Sequence, residues 1–203
     1  MAELTERQGA ELKVWLRYTV GLVAGVLVGG AGAWLVTDRG MSNEAIRVGP
    51  WQTALNYGLA SSDLLTRASV ARSGLLALPA SETVYWHTRT DSEGQPLRGD
   101  CTYAVRGGNI DARWWSITSY DKAGFLVANP ARIWSFSGAA LAEGERNGWL
   151  LTISARQPPT GHWLPAKPGQ AYELTLRMYN PGPGLARAPT RARLPAIQQK
   201  GCP

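Results

Sequence analysis

His162, Asp121 and Ser119 are the residue types from which a hydrolase assembles a base, an orienting acid and a nucleophile. Their surroundings argue against that use. No G-x-S-x-G turn presents Ser119, and His162 stands before Trp163 where a histidine ring is expected to cap a turn. Asp111, Asp121 and Glu173 are the carboxyls from which a sugar-cleaving pair would be drawn. Asp111 and Asp121 adjoin turn residues, however, where aspartate ordinarily bonds its own backbone. Glu173 and Arg177 share a strand face four residues apart, about 13 Å, so each is expected to pair across the sheet rather than with the other. No glycine-rich phosphate loop occurs, and neither cysteine has metal-ligand spacing. No catalytic, cofactor-binding or metal-binding residue is assigned, and no cofactor is expected.

Binding chemistry has better candidates. The chain holds nine tryptophans, and rings of this size supply apolar area together with a polar handle. Trp115 and Trp149 alternate with polar neighbours and are expected to fill a core. Trp114 alternates with Ser116 and Thr118 and is expected on an open face. Trp114, Tyr120 and Arg177 are therefore the candidate binding face, placed in a groove between sheets. Cys101 and Cys202 form an even pair suited to a disulfide in an oxidising compartment, the alternative being two free thiols. Such a bridge closes a loop of about a hundred residues, worth up to about 4–5 kcal/mol in the chain-entropy model.

The elements that must position these residues change character along the chain. Residues 51–78 favour a helix, with Ser62 and Asp63 as an N-cap and Pro79 as its stop. From residue 82 the apolar period becomes two. Strands are expected over 83–89, 101–106, 112–120, 133–137, 149–155 and 172–179, separated by Gly/Pro/Asn/Asp turns. The fold class that follows is mainly β: an antiparallel, jelly-roll-like sandwich behind a short helical region. The expected organisation is a stub at 1–13, a membrane helix at 14–37, a linker and helical region at 38–80, and the sandwich at 81–203.

The membrane helix rests on residues 18–36, nineteen residues without a charge. At about 1.5 Å per residue this run nearly covers a hydrocarbon core of roughly 30 Å. It is longer than a signal-peptide core and ends in bulky Trp34, Leu35 and Val36, so it is read as a retained anchor. Arg7, Lys13 and Arg17 precede it while Arg39 and Arg47 follow, which favours a cytoplasmic N-terminus and a periplasmic C-terminal domain on a bacterial inner membrane. Gly21, Gly25, Gly29 and Ala33 recur every fourth residue, a small-residue stripe that lets two such helices approach closely.

Charge is uneven as well. Residues 40–155 carry ten basic and ten acidic side chains, whereas residues 156–203 carry seven basic ones against Glu173 alone, so the net charge of +6 sits in the last quarter. A basic patch of this kind suits anionic head groups or an acidic partner. Nucleic acid is not expected as a partner for a domain outside the inner membrane.

Four blocks in order, WSITSYDKAGFLVANP (115–130), GWLLTISARQPP (148–159), HWLPAKPGQAYELTLRMYNP (162–181) and LPAI (194–197), resemble the domain of unknown function 1214 family. The most specific pieces are a Trp163-Leu164-Pro165 turn and the Leu-x-Leu-Arg-x-Tyr-x-Pro end of the last strong strand. The resemblance covers about 81–197 and implies a jelly-roll sandwich. Many members carry a domain of unknown function 1254 in the same chain. With only the anchor and about 45 residues ahead of this sandwich, a separately encoded 1254-type protein is the expected partner. The family implies no activity. The expected function is a membrane-anchored binding or assembly module in contact with lipid and that partner, self-associating through its helix. The alternative is a carbohydrate- or ester-acting enzyme working with a partner domain.

Overall fold

A computed structural model describes residues 2–40, 45–55, 64–73 and 78–203. The chain divides into two compact units, Met1–Asn43 and Glu44–Pro203. The first unit holds one helix, α1, Ala2–Gly40. Within it, Val14–Val36 is a stretch of 23 residues long and apolar enough to cross a membrane, and none of it is buried. The polar stub and the apolar run are therefore parts of one continuous helix. That suits an absence of proline and a glycine content that flanking turns can carry.

The second unit is mostly β. Among the described residues its strands are β1 (Ile46–Val48), β2 (Trp51–Thr53), β3 (Thr83–Thr88), β4 (Thr102–Gly107), β5 (Ala112–Asp121), β6 (Ser135–Ser137), β7 (Trp149–Ser154), β8 (His162–Pro165), β9 (Tyr172–Pro181) and β10 (Ala196–Gly201). It also holds helices α2 (Leu64–Ser73) and α3 (Pro183–Arg187) and short 3₁₀ turns at Gly138–Ala140, Glu143–Glu145 and Pro189–Arg191. The strands form a six-stranded sheet in the order β1-β2-β3-β9-β5-β6 and a four-stranded sheet in the order β10-β4-β7-β8.

Both sheets contribute to a single core. Val84, Trp86, Trp115, Ile117, Leu174 and Leu176 project from the larger sheet, and Tyr103, Val105, Leu151, Ile153 and Leu164 from the smaller. The alternation along each strand dictates this, since every second side chain faces the opposite sheet. Trp115 of β5 stacks on Trp149 of β7 with ring centres 5.0 Å apart, and Phe136 of β6 meets both rings. The Trp149 indole donates to the Gly108 carbonyl at 2.9 Å, which satisfies its one polar atom. The expected core roles of Trp115 and Trp149 hold, at 7% and 3% exposed.

Two expectations need correction. The helix expected from residue 51 is, at its start, a hairpin: β1 and β2 turn through Gly49, at φ +57°, and Pro50, then extend the large sheet onto β3. Trp51 is 1% exposed and donates its indole N–H to Pro195, so residues 46–53 belong to the sandwich and not to a linker. Only α2 keeps the helical reading, and the expected N-cap at Ser62 and Asp63 lies outside the described residues. Second, Trp163-Leu164-Pro165 is strand, not turn: β8 lies parallel to β7, with Leu151 opposite His162 and Ser154 opposite Pro165. The smaller sheet is thus mixed rather than purely antiparallel. Residues 196–201 form a further strand, β10, antiparallel to β4.

Candidate binding face

On β3, β9 and β5 every second side chain turns away from the core, and the register aligns these in rows. Thr83, Tyr179 and Trp114 lie opposite one another in the first row; Tyr85, Arg177 and Ser116 form the second; His87, Thr175 and Thr118 the third. Tyr120 faces Glu173 in a fourth. Trp114, Tyr120 and Arg177 therefore share a face, but it is the outer face of the six-stranded sheet. The groove between sheets expected for them is filled by Trp115, Ile117 and their partners. The parity of β5 decides this: Trp115 and Ile117 point inward, so residues 114, 116, 118 and 120 cannot.

The face changes chemistry from end to end. Trp114 is 43% exposed and its ring meets Tyr179 edge-on, centres 5.3 Å apart. In the middle, Arg177 Nη2 donates to the Tyr120 hydroxyl at 2.6 Å and Nη1 donates to Thr118 Oγ1 at 3.1 Å, with the guanidinium carbon 5.3 Å from the Tyr120 ring centre. These bonds fix the cation in one orientation, while Thr83, Tyr85, Ser116, Thr118 and Thr175 of the same face are buried.

At the other end Glu173 accepts from Arg89 Nε at 2.7 Å and lies 3.1 Å from His87 Nδ1. Because a carboxylate only accepts, the proton belongs on Nδ1, which also lies 3.1 Å from Thr175 Oγ1. Burial pushes the Glu173 carboxyl up, but the His87 hydrogen bond and the charges of His87 and Arg89 outweigh it, and the carboxyl ends below its ordinary range. Among the described residues, His87 Nε2 is buried without a hydrogen-bond partner. Glu173 and Arg177 thus pair across the sheet, in opposite directions, as the strand spacing required.

The hydrolase trio does not assemble. His162 Nε2 lies 3.1 Å from the Glu145 carboxylate and its ring packs on Phe136. Asp121 Oδ1 accepts from the Ala123 and Phe125 amides, the turn role expected of it. Ser119 faces the core, 1% exposed, with no partner for its hydroxyl. The three carboxyls are likewise separately engaged: Asp111 lies against Gly182, where an added Cβ would collide with its carboxylate. Among the described residues no three His, Cys, Asp or Glu side chains converge as a metal site would need. The stripe of Gly21, Gly25, Gly29 and Ala33 lies on α1, and a Cβ at any of the three glycines would meet nothing within 4 Å. Cys101 and Cys202 are joined by a disulfide across a separation of 101 residues. The His87–Glu173–Arg89 group was not anticipated. Its signal was present in the period-two placement of Tyr85, His87 and Arg89, but the pairing of β3 with β9 was not.

Comparison with known proteins bears on fold alone. The VPA0106 protein of Vibrio parahaemolyticus, known from a crystal structure, is similar over 68% of this chain and 35% of its own, with 20% identity and a TM-score of 0.57. An uncharacterised protein of Burkholderia cenocepacia is similar over 82% of this chain and 39% of its own, with 14% identity and a TM-score of 0.42. This chain therefore matches little more than a third of either. No curated protein matches it. The family model for "protein of unknown function (DUF1214)" matches residues 82–183, from the start of β3 to the start of α3. With half its length matched, and with the strands that carry the outer face inside the match, the chain belongs to the DUF1214 family.

Proposed function

We propose that this protein is a single-pass, inner-membrane-anchored envelope protein whose sandwich acts in the periplasm as a binding module without catalysis of its own. The observation that carries the reading is the outer face of the six-stranded sheet. It sets an exposed Trp114 in a row with Tyr179, beside an Arg177 already fixed by two hydrogen bonds. Tryptophan, tyrosine and arginine are the residue types that dominate protein–protein binding energy, and a pre-oriented arginine loses little further freedom on docking. The anchor is supported by Val14–Val36, and its orientation by Arg7, Lys13 and Arg17 ahead of that stretch.

The partner we assign is a 1254-type protein, with lipid and a second α1 helix as further contacts. The choice follows from membership of the DUF1214 family, whose resemblance implies a 1254-type domain as companion. The test is affinity capture of the full-length protein from detergent-solubilised native membranes, with the wild type compared against Trp114→Ala and Arg177→Ala. Recovery of a 1254-type chain by the wild type, lowered about tenfold or more by either variant, is the expected result. Equal recovery by all three, or none by the wild type, refutes the assignment.

One observation favours a second reading, an ester- or sugar-cleaving enzyme completed by the partner. The Glu173–His87 pair leaves a buried imidazole nitrogen unmatched, as a general base would. Hydrolysis of nitrophenyl ester or glycoside by the captured complex, abolished by His87→Gln, would support it. Equal rates for the two proteins would dismiss it.

A further inference from the structure

Beyond β9 the chain folds back over one end of the sandwich and encloses a cleft of about 380 Å³. This is within the size range of small-ligand sites. Its floor is apolar, made by Met178 and Leu185, 2% and 5% exposed. Its mouth is polar, with Arg191 and Arg193 supplied by the returning chain and Asn109 and Asp111 by the turn between β4 and β5. Among the described residues neither arginine has an ion-pair partner, and Asp111 lies on Gly182 without one. Two unpaired guanidiniums against one carboxylate leave the mouth with an excess of positive charge. No aromatic ring lines the cleft, which disfavours a stacked nucleobase or sugar. The apolar floor disfavours a free inorganic ion.

We propose that this cleft binds a small anionic amphiphile: a phosphate or carboxylate group held by Arg191 and Arg193, on a short apolar body laid over Met178 and Leu185. Guanidinium forks match both kinds of oxyanion in a two-point manner, so the head group is a class and not one compound. Asp111 opposes the anion and tunes the site rather than forming it. None of the residues lining the cleft belongs to the Trp114 face, so the site stands whether or not that face docks a partner.

The test uses the full-length chain in lipid nanodiscs and isothermal titration with hexyl phosphate and octanoate, with empty nanodiscs as the blank. Saturable binding above the blank by at least one of the two is expected. Tighter hexyl phosphate marks the site as one for phospholipid-like head groups, tighter octanoate as one for free acids, and either supports the proposal. Octanol and inorganic phosphate should each bind at least about tenfold more weakly. Arg191→Gln with Arg193→Gln should weaken binding about tenfold or more, Arg191→Lys with Arg193→Lys should recover part of it, and Asp111→Asn should strengthen it roughly two- to fivefold. Absence of saturable binding, binding unchanged by the glutamine pair, or weaker binding by Asp111→Asn overturns the proposal. The lysine pair keeps the charge, and circular dichroism on each variant separates lost binding from lost fold.

Discussion

Gly107 ends β4 directly opposite Trp149 of β7, and the indole lies over its Cα so that a Cβ there would run into the ring. The ring has nowhere to go. It is stacked on Trp115 at 5.0 Å, flanked by Phe136 at 5.5 Å, and tied by its N–H to the Gly108 carbonyl. Gly107→Ala must therefore displace a buried tryptophan. Overpacking of this kind costs about 1–3 kcal/mol. Losing the indole hydrogen bond adds about 1 kcal/mol. The gain from a less flexible unfolded chain returns about 0.5–1 kcal/mol, since Gly107 has an ordinary backbone conformation. The expected net loss is about 1–3.5 kcal/mol, or a fall of several degrees in melting temperature for a domain of this size. Gly148→Ala is the matched control, because a Cβ there meets nothing within 4 Å; it should change stability by less than about 0.5 kcal/mol. Urea unfolding of the full-length protein in detergent, followed by tryptophan emission, reads both variants. If Gly107→Ala unfolds at the same urea concentration as Gly148→Ala with the same slope, the packing account of the Trp115–Trp149 pair is wrong.

Three further outcomes follow from particular contacts. Reduction, or Cys101→Ser with Cys202→Ser, should lower stability by up to about 4–5 kcal/mol, because the bridge spans 101 residues; alkylation should add two labels only after reductant, and labelling without reductant refutes the bridge. The Glu173 carboxyl is held below its ordinary value of 4.5, so it contributes stability that is complete above about pH 4.5 and is lost as pH falls through the lowered value. Glu173→Gln should cost about 1 kcal/mol at pH 7 and flatten the acid limb of the stability curve, and an unchanged acid limb would show that the carboxylate is not engaged. Gly25→Leu fills a helix position where a Cβ meets nothing, so any helix pairing along that stripe should weaken. The protein should then migrate as a smaller species on a native gel, and an unaltered species removes the stripe from consideration.

The long strands were legible because period-two alternation survives without knowledge of partners. β5 and β9 emerge within two residues of their expected bounds, and the core roles of Trp115 and Trp149 follow from parity alone. The short strands at the start of the domain were not legible. β1 and β2 have three residues each, too few for a period, and are strands only because Trp51 finds a buried seat beside Pro195. β10 is edge strand with one fully buried side chain, Ile197, and its polar residues carry no hydrophobic pattern. The candidate face was half legible: parity put Trp114 and Tyr120 together. Their meeting with Arg177 and the engagement of Glu173 by His87 depend on strand order, a property of residues more than fifty positions apart.

The Trp51 indole and the Pro195 carbonyl, 144 residues apart, meet inside the fold, and β4 acquires β10 as its neighbour only after five other strands have been made. A polypeptide synthesised from its N-terminus holds an uncovered tryptophan and an unpaired β4 edge until those late residues emerge. Contacts this distant form slowly, and an open edge in the interval invites pairing with another copy. Truncation ahead of residue 195 should therefore convert the protein from a folded product into an aggregating one.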